Sequence, residues 1–254
     1  MAEGPAASEQ PAEGRAAVDP RKPAAGEFSF RTPELAAGAA APLLVVCALG
    51  PEVWALRGGD WAAPPVLVRT GVGRVRARRV VCNLLSRDGY GALVVAGFGA
   101  AVGPGVQPGD VIVADAVRSG EGEEWPLTSA EAMAAELVAR GLTVHIGPHH
   151  TADRVVRGAE RRALYATGAL AVDMEAAAVL AARTRLRPAL PTAVLRVVVD
   201  TPTRELLRPG TLPAGLHAWR TLRDAVPALT AWYRQAVTDP IHAPQSSTLP
   251  QEAS

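Results

Sequence analysis

The chain has 254 residues, 48% of them hydrophobic and 20% charged, with a formal net charge of +1. That balance describes a globular protein able to bury a core without disulfide or metal staples. It supplies no bulk charge for holding nucleic acid or a membrane surface. The two cysteines, Cys47 and Cys82, lie in apolar stretches and are too few for a metal cluster, so they read as buried free thiols of a cytoplasmic protein.

Residues 1–41 are rich in Ala, Gly, Pro and Glu without apolar periodicity and are predicted to be a disordered tail, as are residues 239–254. The amino terminus carries no recognisable secretory signal. The most apolar stretch, Ala92–Val106, is broken by Gly and Pro and is too short for a membrane span. Between the tails, strands are predicted at Leu43–Ala48, Val66–Thr70, Leu93–Ala96, Val111–Ala114, Thr143–Ile146, Leu170–Val172 and Ala193–Val199. Helices are predicted at Glu52–Leu56, Arg74–Ser86, Ser129–Arg140, Ala159–Thr167, Met174–Arg185 and Leu216–Val237. Continuously apolar strands alternating with helices imply one three-layer α/β/α domain over residues 42–238, built on a central mixed, largely parallel sheet. In such folds ligands gather beyond the carboxyl ends of the strands.

Four features stand at such ends. Glu52 follows the first apolar run, where a carboxylate equally suits the first turn of a helix. Gly97-Phe98-Gly99 opens a glycine-rich segment extending to Asp110, expected to be a loop whose backbone can approach an anion or a sugar. Neither Gly71-Val72-Gly73 nor Gly103-Pro104-Gly105 continues as a dinucleotide fingerprint requires. Asp173-Met174-Glu175 is an acidic start to an alanine-rich helix, and Asp200 closes the run Val194–Val199 before Thr201-Pro202, where a capping aspartate is also ordinary.

The order and spacing of these features resemble the nucleoside phosphorylase and nucleosidase superfamily, which includes the methylthioadenosine/S-adenosylhomocysteine nucleosidases. The resemblance runs from about Leu43 to Val237 and is strongest at Ala171-Val172-Asp173-Met174-Glu175-Ala176 and Leu195-Arg196-Val197-Val198-Val199-Asp200, against the family's usual V-E-M-E-A and R-x-x-S-D. Within it, Gly147-Pro148 and Ala152-Asp153-Arg154-Val155-Val156 look most like the hopanoid-associated branch, thought to remove adenine from adenosylhopane. The resemblance implies cleavage of the N-glycosidic bond of a purine nucleoside. Asp200 would protonate the leaving base, Glu175 would bind the ribose hydroxyls with Met174 packed on the sugar, and Glu52 would orient the attacking water. It implies a small-molecule nucleoside as partner, a homo-oligomer, and no metal or organic cofactor, with inorganic phosphate as co-substrate if the enzyme is a phosphorylase. Arg74 and Arg196 could serve that phosphate or simply form ion pairs. Departures from the family pattern are Val199 for serine, Phe98 for another serine, Ala100-Ala101 for a glycine pair, and Val155 where an aromatic stacks on the base. They leave room for a non-catalytic nucleoside-binding member. His145, His149 and His150 lack acids or cysteines at ligand spacing and read as loop or substrate-facing residues.

Overall fold

The computed structural model describes residues 41–87, 89–202 and 212–238, the last stretch with side chains from 215 onward. Apart from Ala41, the two expected tails lie outside the described residues. In chain order the elements are β1 (Leu43–Cys47), α1 (Gly50–Arg57), β2 (Val66–Arg69), α2 (Arg74–Arg87), β3 (Ala92–Ala101), β4 (Val111–Val113), β5 (Ala116–Ser119), β6 (Glu124–Pro126), α3 (Ala130–Val138), β7 (Val144–Ile146), β8 (His149–Thr151), α4 (Gly158–Ala166), β9 (Ala171–Asp173), α5 (Ala176–Leu186), β10 (Thr192–Asp200), α6 (Leu212–Asp224) and α7 (Val226–Thr238).

All ten strands join one sheet in the order β6-β5-β8-β9-β3-β10-β4-β7, with β2-β1 branching from β3. Six of the nine pairings are parallel, so the sheet is mixed and largely parallel as predicted. Alternate residues of the central strands feed two apolar layers. Val45, Val94, Ala96, Leu195 and Val197 face α1, α3, α6 and α7, and Leu44, Val46, Leu93, Val95 and Val194 face α2 and α5. Burial on both faces is why these strands read as unbroken apolar runs. Helix α2 presents Ala77, Val81 and Leu85 at a four-residue spacing, and α5 is buried almost all round because its alanines allow close approach.

Strand β3 is the pivot. Its first half pairs with β1 through Leu43↔Ala92 to Val46↔Val95, and its last residues pair antiparallel with β9 through Val172↔Ala100. The edge of β3 between them opens as a fork at Gly97–Gly99, where the ends of β1 and β9 converge.

Several expectations are corrected. Gly97, Phe98 and Gly99 lie within β3, which continues to Ala101, and the glycine loop starts only at Val102. Met174 and Glu175 form a two-residue bend, and α5 begins at Ala176 rather than at Met174. The last helix is two, because Pro227 has no amide proton to carry α6 onward but fits the first turn of α7. Strands β5, β6 and β8 are too short to show a periodicity, so the histidine pair read as a loop is a strand between β5 and β9. Cys47 is buried and Cys82 half-buried, both free; burial and the neighbouring Glu52 push the Cys47 thiol up, leaving it unreactive.

His149 is fully buried beside Asp173 and Arg196, and neither ring nitrogen makes a hydrogen bond of good geometry, the Ile112 backbone offering at most a weak one. Burial pushes its pKa down to about 3, overcoming the opposite pull of Asp173. Below about pH 6.5 the unfolded chain therefore takes up a proton that the native state refuses, and stability falls as the pH drops from there toward 3. Denaturant unfolding between pH 7 and 5 should show a slope up to about 1.4 kcal/mol per pH unit steeper in the wild type than in His149→Gln. Equal slopes would mean that this histidine is protonated in the native fold.

Candidate active site

The fork in β3 collects three carboxylates around one guanidinium. Glu52 stands in the first turn of α1 and is 2% exposed. Its Oε2 accepts from the Ala48 and Leu49 amides (2.8 and 2.7 Å), and its Oε1 accepts from the Phe98 amide (2.6 Å). The bond from Leu49 is half of a capping box, so the helix-start reading holds, and the same carboxylate also reaches the backbone of β3. Glu175 hangs from the bend after β9, where its Oε1 accepts from the Gly73 amide at 2.8 Å. Arg196, on β10, donates from Nε and Nη2 to Oδ2 of Asp173 (3.1 and 2.6 Å). Asp173 Oδ1 also accepts from the Thr151 hydroxyl at 2.7 Å and from the Glu175 and Ala176 amides at 3.3 Å.

The glycines of β3 make these contacts possible. A Cβ on Gly97 would stand 2.5 Å from Oε1 of Glu52, and one on Gly99 would stand 2.8 Å from Cβ of Arg196. The strand is glycine-rich so that the two side chains can cross it, and the anion-cradling loop expected there is absent. Between Thr70, Ala48, Glu175 and Arg196 remains a cavity of about 10 Å³, the size of one water.

Electrostatics divide the carboxyls. Burial alone would raise Asp173, but the Arg196 guanidinium and the Thr151 hydroxyl hold it below the usual range. Burial raises Glu52 and Glu175 against the opposing pull of Arg196 and their backbone donors. A raised carboxyl is a better base than an ordinary one, and Glu52 has three bonds on about four acceptor positions, which leaves one for a water.

Asp200 ends β10 four residues past Arg196, on the order of 10 Å farther along the strand. The register shifts between Val198 and Asp200, which makes Val199 the extra residue of a β-bulge. Asp200 is 8% exposed, and both its oxygens accept from Arg161 of α4, at 3.3 and 3.0 Å. Its neighbouring cation is thus Arg161, whereas Arg196 is committed to Asp173. Arg74 opens α2 and bridges Glu121 (3.1 Å) and Asp153 (3.0 Å), so both candidate phosphate ligands are in ion pairs. Met174 is half-buried in the bend, and Val155 is exposed on the loop after β8. His145 pairs with Asp110 at 2.9 Å, and among the described residues no three His, Cys, Asp or Glu side chains could hold a metal ion. A separate cavity of about 380 Å³ lies at the opposite end of the sheet, lined by Thr192, Arg183 and Trp232, and none of the candidate residues reaches it.

The family model described as the phosphorylase superfamily matches residues 34–212. The chain belongs to that superfamily. Among solved structures it is similar to the 5′-methylthioadenosine/S-adenosylhomocysteine nucleosidase of Neisseria meningitidis, at 16% identity and TM-score 0.63, over 76% of this chain and 100% of that one. The S-adenosylhomocysteine nucleosidase of Streptococcus pyogenes gives 19% identity and TM-score 0.62, over 77% and 99%. Futalosine hydrolase of Helicobacter pylori gives 16% and 0.62, over 74% and 97%. A comparison with curated proteins found no match. At these identities the structural likeness establishes the superfamily fold. No described helix is long and apolar enough to cross a membrane.

Thr151 and Arg161 carry no signal in the sequence, and Asp173 stands in the quoted motif without a role of its own. Asp173 is the counterion of Arg196, Thr151 steadies it, and Arg161 engages Asp200. Asp173 stood inside the recognised motif and could have been chosen as the partner of a buried arginine, but nothing in the sequence of α4 marked Arg161. The crossing at Gly97 is directly testable. Gly97→Ala should displace the Glu52 carboxylate and lower kcat about a hundred-fold with far-UV circular dichroism unchanged, and an undiminished kcat would show that catalysis does not need Glu52 where it stands.

Proposed function

We propose that the protein hydrolyses the N-glycosidic bond of a purine nucleoside. The observation that carries this reading is the division of buried carboxyls about β3, with Glu52 and Glu175 gathered around the Arg196 guanidinium at the fork and Asp200 on the other side of β3, on the order of 10 Å past Arg196 along β10. A nucleoside laid across that interval has its ribose at the fork and its base at the end of β10. Glu175 would accept from the ribose hydroxyls, in bonds that strengthen as the sugar becomes cationic. Glu52 would orient a water against the anomeric carbon and take its proton, and Asp200 would deliver a proton to the leaving base.

Hydrolysis is favoured over phosphorolysis because Arg74 and Arg196 are both neutralised by carboxylates and two further carboxyls would repel a phosphate there. For the 5′ substituent, apolar side chains are exposed at Val72 (43%) just before α2, at Val75 (73%) in its first turn and at Val155 (58%) on the loop after β8, two segments bridged by Arg74 and Asp153. That rim suits a lipophilic group, in keeping with an adenosyl-type substrate such as adenosylhopane. The reading takes the enzyme to be cytoplasmic and homo-oligomeric, without a metal or organic cofactor. The Arg161–Asp200 pair also favours a second reading, a nucleoside-binding protein without turnover.

Incubation with adenosylhopane, methylthioadenosine and adenosine, with and without phosphate, should release base and the free sugar. Ribose 1-phosphate products would make the enzyme a phosphorylase, and tight binding without base release would establish the second reading. Asp200→Asn should lower kcat by about 10² to 10⁴, and an unimpaired kcat would remove Asp200 from the chemistry.

A further inference from the structure

Helix α4 is held by few buried contacts, its exposed ties being the Arg154–Glu160 pair (2.6 Å) and the bond from Arg118 to the Thr167 carbonyl (3.0 Å). Arg161 is its one buried residue; Leu164 is half-buried against the cluster of Val102, Val156 and Ala169, and the Tyr165 ring lies over Gly103. The Arg161 guanidinium reaches inward, donating from Nη1 and Nη2 to the two oxygens of Asp200 and from Nη2 to the Val156 carbonyl at 3.3 Å. Its Nε is buried with no acceptor. At the two ends of the helix, Gly158 (φ +53°) and Gly168 (φ +82°) hold left-handed conformations, so the segment is bounded by residues whose backbone turns at little cost.

We propose that α4 is a substrate-operated cover and that the Arg161–Asp200 ion pair is its latch. A purine base that takes the guanidinium's place against Asp200 displaces Arg161 from both carboxylate oxygens, and α4 moves outward with it. The proposal rests on the reading of Asp200 as the residue that meets the leaving base. Two features make this pair an openable closure instead of a permanent tie. A permanent buried pair is stable when every donor is satisfied, and here Nε is not, so the closed state lacks one hydrogen bond. The helix behind the latch also buries little apolar surface that would resist its departure.

Because the closed state competes with substrate, apparent affinity is reduced by the fraction of open protein, and a weakened latch tightens binding. Steady-state kinetics of wild type, Arg161→Lys and Arg161→Met on a hydrolysed nucleoside should show KM falling about tenfold in Arg161→Met, with Arg161→Lys between, and the change carried by KM. Hydrogen exchange on the ligand-free proteins should show faster exchange confined to residues 158–168 in Arg161→Met and in Asp200→Asn. Adenosine should produce the same local increase in the wild type. An unchanged or raised KM, or a fall in kcat at constant KM, overturns the latch, the latter by placing Arg161 in the chemistry. Should the wild type release no base from any nucleoside, the functional reading fails separately and the exchange measurement decides. Equal exchange over 158–168 in wild type and both variants overturns the proposal.

Discussion

The site depends on one buried ion pair. Arg196 and Asp173 belong to β10 and β9, which flank β3 without touching each other in the sheet, so the guanidinium must cross β3 to reach its partner. It crosses beside Gly99, where a side chain would collide with the arginine stem. Burying two charges costs several kcal/mol per ion, and here the carboxylate offsets that with the Thr151 hydroxyl, two amides and two guanidinium bonds. Removing either partner alone would strand the other charge, a loss of about 3–5 kcal/mol. The pair also fixes the neighbours. Asp173 orders the bend that carries Glu175, and Arg196 is the positive charge that keeps burial from raising Glu52 and Glu175 further.

That dependence explains which parts of the molecule could be read from the sequence. Strands buried on both faces declare themselves as apolar runs, and β1, β10 and the first half of β3 fall where the runs place them. Glu52, Glu175 and Asp200 stand out as candidates because each follows an apolar run, and their expected roles come from the superfamily resemblance. The segment Gly97–Gly99 was misread because glycine is depleted in strands, and only the crossing of Glu52 and Arg196 overrides that tendency. The same crossing hid the role of Arg196, whose partner lies 23 residues away on a strand that is not its neighbour. Arg161 was invisible for a simpler reason. It sits among exposed residues of a short helix, and only the fold turns it inward.

The raised carboxyls follow from the same geometry. Glu52 accepts three backbone amides, bonds that favour its charged form, yet burial outweighs them. Those amides come from the end of β1 and from β3, so the carboxylate is held by two strands and by its own helix. In the role of base proposed for it, a carboxylate fixed in this way would lose little conformational entropy when substrate arrives, and its orientation would not depend on the substrate.

The bulge at Val199 links the two ends of the interval. Superfamily resemblance leads one to expect a serine there, whose hydroxyl would help hold the acid or the base. In this chain the extra residue is half-buried and packs on the apolar layer beneath α1 and α6, so it contributes packing and no hydrogen bond. Asp200 follows immediately, re-aimed by the bulge, and a buried carboxylate without donors is costly. Arg161 supplies the donors that Val199 does not. The cation supplied from α4 is therefore the counterpart of the missing hydroxyl: it satisfies the same carboxylate from a helix that can move, where a serine on β10 would have satisfied it from a strand that cannot.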